Sequence, residues 1–441
     1  MSDVREIRKL ILKVSWPMIV SELTESLYSL ADTFFVSKLG KESLAGVGVA
    51  THLSWLLFGL TSLFSVGSLI YVAQAYGAGK IEKARTALGT VLPVTLLVTI
   101  PTAILVILRS ETLISLLAGE KELEVVREGA LYLGIRVIGL PIMAVAICFD
   151  ASLRAVGATK YSMVAMVTSA LLNVVLDPIM IFGLLGFPRM GVAGAALATV
   201  LSIAYTIPIT LLFLKRLNLL PILRFDKEIL LRLVTVGVPV FVERLIFSIG
   251  NTFYIAVIAR CGATAMAAHQ VGIRIESLIF MPGFAFSIAA SSLVGQSVGA
   301  GKYSLAKRVG YEVSKVALIY MTLLGVAVAL FSRNLAYPFS SDEEVLDLAA
   351  IYLVLAGLSE PGLALSMVLG GAVRGAGNTV VPLVINAACL YLIRVAPSLA
   401  LVHYLGVVGA WIAMAIDVYV RGLLVLVVYA KFYERLVKKL V

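Results

Sequence analysis

Hydrophobic residues along this chain form long unbroken runs rather than alternating with polar ones. Twelve runs stand out, at 11–37, 50–74, 86–108, 128–150, 160–183, 190–214, 231–258, 270–295, 312–331, 347–370, 379–400 and 405–430. Each is about 20 residues or longer, which at ~1.5 Å per helical residue crosses the ~30 Å hydrocarbon layer of a bilayer. Lipid offers no partner to an open sheet edge, and the runs lack the period-two alternation of barrel strands, so all twelve are predicted to be helices. The first run follows MSDVREIRK and has no small-residue cleavage pattern near its end, so it reads as a retained span rather than a leader peptide. The fold class expected is an all-α membrane protein of twelve transmembrane helices.

Composition supports this reading: 60% of the residues are hydrophobic and 14% charged, against roughly 25% charged in a soluble domain. The formal charge of +10 could point to nucleic acid, but the placement of the basic residues decides otherwise. Arg5, Arg8, Lys9 and Lys13, then Lys80, Lys83 and Arg85, then Lys215, Arg216 and Arg224, then Lys302, Lys307 and Arg308, then Lys431, Arg435, Lys438 and Lys439 all fall on one alternating set of termini and loops. The other set holds few, among them Lys38, Lys41, Arg109, Lys121 and Arg333, and includes the acidic SSDEEVLD. That bias places both termini in the cytoplasm of a multi-pass plasma-membrane protein and leaves no role for nucleic acid. Cys148, Cys261 and Cys389 lie within or at the ends of runs and give no disulfide framework. His52, His269 and His403 are scattered and suggest no metal site.

The chain repeats itself. AYGAGK at 75–80 returns as SVGAGK at 297–302, so that Gly77 and Gly299 lie 222 residues apart, as do Pro17 and Pro239, and Gln74 and Gln296. LRAVGAT at 153–159 returns as VRGAGNT at 373–379, and GVAGA at 191 as GVVGA at 406. Chance likeness between apolar helices would match Leu and Val anywhere, not Gly, Arg and Gln in order. Six spans per half give both halves the same orientation, related by an axis along the membrane normal. The expected organisation is a first lobe at 1–214, a basic linker at 215–230 and a second lobe at 231–441, two pseudo-symmetric six-helix lobes around a central cavity. Such a layout suits alternating access about a midplane site.

Polar residues inside the runs are the candidates for chemistry, because a charge at the bilayer centre costs about 2.5–3.5 kcal/mol on insertion scales. In LLNVVLDPIMIFG, Asn173 and Asp177 are four residues apart and share a helix face, and Pro178 removes a backbone donor beside the carboxylate. SLYSLADTFFV places Asp32 in apolar company, with Glu25 a heptad earlier and Glu22 before that. Tyr132 and Arg136 lie one turn apart, Asp150 closes the same span, and Thr199 follows GVAGAALA. These acids have no counterpart in the second half: at the repeat offsets Asp32 faces Tyr254, Asp177-Pro178 faces Ala396-Pro397, and Asp150 faces Gly370. A carboxylate needed only for packing should serve either copy, so the asymmetry favours chemistry in the first lobe. The second lobe has its own charges, with Glu243 beside Arg244, Arg274 near Glu276, and Asp417 four residues before Arg421. Glu243 and Glu360 are candidates to line a cavity, but such adjacent opposite charges are what mutual neutralisation looks like, and the structural reading weighs more there.

The motifs WPMIVSELTESLYSLADTFFVSKLG, AQAYGAGK, LRAVGATKYSM, LLNVVLDPIMIFG with GVAGAALATV, GVPVFVERLIFSIGN, AAHQVG, VGQSVGAGK and GGAVRGAGNT resemble, together and over nearly the whole chain, the multidrug and toxic compound extrusion (MATE) family, and more its DNA-damage-inducible branch. The resemblance implies an antiporter, not an enzyme, that exports amphipathic and cationic organic compounds against H+ or Na+. It implies a monomer among membrane lipids, with no cofactor beyond the coupling ion. By motif, the cation site would be Asp32, Asn173, Asp177 and Thr199, with Na+ or a proton held there and Tyr132 and Asp150 nearby. Three positions depart from the pattern: many relatives carry Asn where Asp150 stands, and Gln and Asn are common where Glu25 and Ser29 stand. Two other functions fit parts of the pattern. A lipid-linked oligosaccharide or polyprenyl-lipid flippase shares the two-lobe plan but calls for more intramembrane cations than Arg136, Arg244, Arg274, Arg394 and Arg421. An intramembrane aspartyl protease could use Asp32 and Asp177 as a dyad, but no GxGD, GxSxG or HExxH occurs.

Overall fold

The computed structural model describes residues 4–119 and 122–441. Lys121, counted above among the sparse basic residues of one loop set, lies outside them. The described residues form sixteen α-helices and no strand. In the first half these are α1 (Val4–Ser37), α2 (Lys41–Gly77), α3 (Ile81–Leu108), the short α4 (Ser110–Ala118), α5 (Leu123–Ile138), α6 (Leu140–Ala155), α7 (Thr159–Phe182) and α8 (Val192–Arg216). The second half holds α9 (Lys227–Ala259), α10 (Ala263–Gly299), α11 (Tyr303–Leu330), the short α12 (Ser332–Ala336), α13 (Glu343–Gly375), α14 (Val380–Cys389), α15 (Ala396–Leu405) and α16 (Val407–Leu436).

Among the described residues nine stretches are long and apolar enough to cross a membrane, with α14 to α15 counted as one, and α5 with α6 makes a tenth. α1 and α9, of 34 and 33 residues, complete the twelve expected spans. Most helices outrun their hydrophobic runs: α2 and α10 have 37 residues each, or ~55 Å, so their ends project beyond the hydrocarbon.

Two spans depart from simple rods. The run at 128–150 is broken into α5 and α6, bent by 47°. Pro141 sits in the first turn of α6 and cannot donate to the preceding turn, while Gly139 closes α5 through its N–H to the Arg136 carbonyl. Val200 leaves no room there for a larger residue: a Cβ on Gly139 would meet it at 2.7 Å. In the second half the equivalent proline, Pro361, lies inside a continuous α13. There the irregularity falls instead on Leu390–Val395, a π-helical turn just before Pro397.

The repeat is visible in backbone geometry. Gly79 and Gly301 both take left-handed φ, +72° and +73°, and both turns close the same way, Lys80 N–H to Ala75 O and Lys302 N–H to Ser297 O, each 2.9 Å. The AYGAGK and SVGAGK motifs are therefore one helix-terminating turn used twice, with glycine where an L side chain would be strained.

The chain forms two compact units, Val20–Gly237 and Met1–Ile19 with Val238–Val441. α1 and α9 each contribute to both: α1 divides two residues after Pro17, and α9 divides two residues before Pro239. Within the first-half unit α2 packs on α5 and α6, and α7 on α8; within the second-half unit α13 is central, against α10, α11 and α16. Small residues let these backbones approach: Gly325 on α11 and Gly357 on α13 meet so closely that a Cβ on either would lie 2.2–2.3 Å from the other's carbonyl oxygen.

Candidate functional site

Asp32 on α1, Tyr132 and Arg136 on α5, Asn173 and Asp177 on α7, and Thr199 on α8 all belong to the first-half unit. α7 runs unbroken through Pro178, and the turn that follows is pinned to it by Met190 N–H to Met180 O (3.0 Å) and Gly191 N–H to Ile181 O (3.1 Å). That return sets Thr199 opposite Asn173. The Asn173 amide nitrogen reaches Asp177 Oδ1 at 3.4 Å and Thr199 Oγ1 at 3.5 Å, and the Thr199 hydroxyl itself donates to Ala195 O at 3.0 Å. Asn173, Asp177, Thr199 and Tyr132 are all buried.

What these residues leave unsatisfied is more telling than what they satisfy. Asp32 Oδ1, Asn173 Oδ1 and Asp177 Oδ2 are buried oxygen atoms with no hydrogen-bond partner. Orphaned buried acceptors cost about 1–3 kcal/mol each, more when charged. Arg136 faces Asp32 electrostatically, as Asp32 faces Asp177. Yet Arg136 forms no ion pair within 4 Å among the described residues; its guanidinium lies over the Phe58 ring at 5.2 Å. Asn173 thus bridges Asp177 and Thr199, and Asp32 lies near enough to Asp177 for the two carboxylates to act on each other electrostatically.

Asp150 sits in a different cluster. Arg154 binds it through Nε at 2.5 Å and reaches Glu22 through Nη1 at 3.5 Å, and the Ser162 hydroxyl donates to Asp150. Glu25 is exposed and faces Glu22, Arg154 and Asp150 electrostatically. Glu22 and Asp150 are thus tied to arginine, and Ser162, which the sequence did not single out, completes their cluster.

In the second-half unit Asp417 pairs with Arg421 as their spacing suggests, while Glu243 and Glu276 take partners other than their sequence neighbours. Glu243 binds Arg374 at 2.6 Å and takes a hydrogen bond from Asn386, rather than engaging its neighbour Arg244. Glu276 accepts the Tyr352 hydroxyl instead of pairing with Arg274. Asp417 is held between Arg394, at 2.8 Å, and Arg421. Glu360 is the exception, fully buried with both carboxylate oxygens unpartnered. Arg154 and Arg374 occupy the same place in the repeated LRAVGAT and VRGAGNT motifs, and each binds a glutamate on the first helix of its half, a tie that the motif itself could have signalled.

The MatE family model matches residues 17–179 and again 239–399, more than two thirds of the chain and once in each half. The chain belongs to the MatE family. A Thermotoga maritima MatE relative, "Probable multidrug resistance protein NorM", is 32% identical over 97% of this chain and 93% of its own length. The "FAD transporter" of Shewanella oneidensis is 28% identical over 95% of this chain and 93% of its own. Among solved structures, the bent form of the Vibrio cholerae MATE transporter VcmN superposes with a TM-score of 0.92 at 22% identity, covering 99% of both chains. A MATE family transporter in an outward-facing conformation gives 0.89 at 26%, again over 99% of both. This MatE chain is accordingly a multi-pass membrane transporter with twelve transmembrane helices in two six-helix lobes, and not an enzyme.

Proposed function

We propose that this MatE transporter exports amphipathic, cationic organic compounds across the plasma membrane in exchange for a proton or a sodium ion, and that Asp32, Asn173, Asp177 and Thr199 hold that ion. The observation that carries the reading is the trio of buried, unpartnered oxygens on Asp32, Asn173 and Asp177 within one unit. Two carboxylates in a dry pocket cannot both be charged cheaply, and a bound proton or sodium ion relieves their repulsion and desolvation. Sodium would draw on both carboxylates, the Asn173 carbonyl and the Thr199 hydroxyl; a proton would need only one carboxylate. Because Asp32 is on α1 while its partners are on α7 and α8, loading the ion draws these helices together. Substrate and ion then compete for the conformation of the same lobe, which is alternating access in its simplest form. Tyr132 and Arg136 border the pocket and set its local field. The termini face the cytoplasm, the transporter works as a monomer, and it needs no cofactor beyond the ion.

Uptake of a fluorescent organic cation into inverted vesicles, driven separately by a sodium gradient and by a pH gradient, tests the reading. One gradient should drive uptake in the parent and fail to do so in Asp32→Asn, with both proteins inserted at equal levels. Uptake driven by neither gradient, or full uptake by the variant, contradicts it. Because one relative is named for FAD, the substrates assayed should include an anionic flavin nucleotide, whose transport in place of organic cations would redirect the substrate assignment.

A further inference from the structure

At one end of the second-half unit, a cavity of about 720 Å³ opens where α1 begins, α11 begins and α16 ends. Lys307, Arg308 and Lys315 supply its basic wall, and Tyr303, Tyr311 and Tyr433 its aromatic one. Two acids also line it: Glu434, exposed near the end of α16, and Glu312, which is shared by Lys315 and by Arg8 of α1, each at 2.9 Å, and so is already neutralised twice over. Lys307 is fixed in place, its ammonium donating to Ala430 O at 2.9 Å and lying 6.0 Å from the Tyr433 ring centre. Beneath, Tyr429 packs edge-on to Tyr311 and Tyr433, an approach open only because residue 310 is glycine: a Cβ there would lie 2.0 Å from the Tyr429 hydroxyl oxygen. The hydroxyl of buried Tyr433 finds no partner of hydrogen-bonding geometry.

The same helix tells what kind of anion fits. From Arg308 and Lys315 the face of α11 continues through Ile319, Leu323, Val326 and Leu330, spaced three and four residues apart and all exposed. A basic, tyrosine-walled cavity therefore opens onto an unpartnered apolar stripe one helix long. A soluble phosphate would use the first and leave the second idle.

We propose that this cavity binds the phosphate-bearing headgroup of an anionic phospholipid, with its acyl chains lying along Ile319, Leu323, Val326 and Leu330 of α11. Lys307 and Arg308 take the phosphate, the tyrosines sit at headgroup depth, and the bound lipid fastens the start of α1 to α11 and α16. The site lies outside the Asp32–Asp177 pocket and does not depend on its assignment.

Native mass spectrometry of the purified full chain, incubated with dioleoyl phosphatidylglycerol or dioleoyl phosphatidylcholine, tests it. The parent should retain one phosphatidylglycerol more tightly than phosphatidylcholine, and Lys307→Gln with Arg308→Gln should lose that preference. Arg308→Gln alone, at an exposed side chain, should weaken it several-fold and covers the case in which the double variant folds poorly. Lys41→Gln, an exposed lysine of the other unit, should leave it intact. Equal retention of the two lipids, undiminished preference in Arg308→Gln, or an equal loss in Lys41→Gln overturns the site. Complete displacement by inorganic phosphate overturns the lipid and leaves a soluble-anion site.

Discussion

Position for position, the two halves build opposite interiors from one ancestral plan. In the first half the repeat places Val47, Ala196, Asp32, Tyr132 and Thr199 where the second half has His269, Trp411, Tyr254, Tyr352 and Met414. The second set fills its space with rings. His269 meets Tyr254 and Tyr352 edge-on at 6.0 and 5.2 Å and stacks on Trp411, and the Tyr254 hydroxyl is spent on Ala410 O. Arg394, over the Tyr254 ring, carries its charge to Asp417. The first set has small side chains at two of those places and polar oxygens left over. At these positions the second half is filled by rings, whereas Asp32 keeps an oxygen without a partner; elsewhere in the second half, Glu360 keeps two. On the proposed ion site, this divergence after duplication leaves ion binding to the first lobe and ring packing to the second.

Substitutions in the two halves test that contrast. The largest effect is expected for Arg374→Gln, which strands Glu243 beside Asn386 in a mostly buried pocket: about 3–5 kcal/mol of stability should be lost, read as a lower thermal midpoint in detergent, and Glu243→Gln in the same chain should restore part of it. An unchanged midpoint means the second half is not held by its pairs. Trp411→Ala should cost a similar or slightly smaller amount, about 3–5 kcal/mol for a fully buried ring, while Ala196→Leu at the equivalent place should cost only about 1–3 kcal/mol, by overpacking. If the first-half change proves the more harmful, the division into filled and open interiors is wrong. The smallest effect belongs to Thr199→Ala, which removes one hydroxyl from the ion pocket: a loss of about 0.5–1.5 kcal/mol in ion affinity, measured as a several-fold higher gradient needed for half-maximal uptake, with folding unaffected.

Much of this was legible in the chain. The twelve runs, the repeated AYGAGK and SVGAGK turns and the asymmetry of the acids follow from hydropathy and spacing, because bilayer thickness and left-handed turns impose few solutions. Asn173 and Asp177 could be placed together because four residues along a helix put them on one face, whereas Thr199 joined them only through the resemblance of the motif. Of the second-half pairings, Asp417 with Arg421 was legible from its four-residue spacing, but adjacency pointed Glu243 to Arg244 and Glu276 to Arg274, whereas residues one or two apart on a helix do not face each other and the real partners, Arg374 and Tyr352, come from another helix. The 47° break at Gly139 was hidden too, since Pro141 lies at a bend while the equivalent Pro361, with Ser359 rather than a glycine two residues before it, lies inside an unbroken helix.

The most direct test counts the cations, protons and sodium ions together, bound per purified chain in the parent, in Asp177→Asn and in Glu360→Gln, a buried second-half acid with both carboxylate oxygens unpartnered. An ion pocket in the first half predicts that Asp177→Asn loses the cation that supports transport while Glu360→Gln keeps it. Retention of that cation by Asp177→Asn, with its loss in Glu360→Gln, would move the coupling site to the other lobe and contradict the assignment.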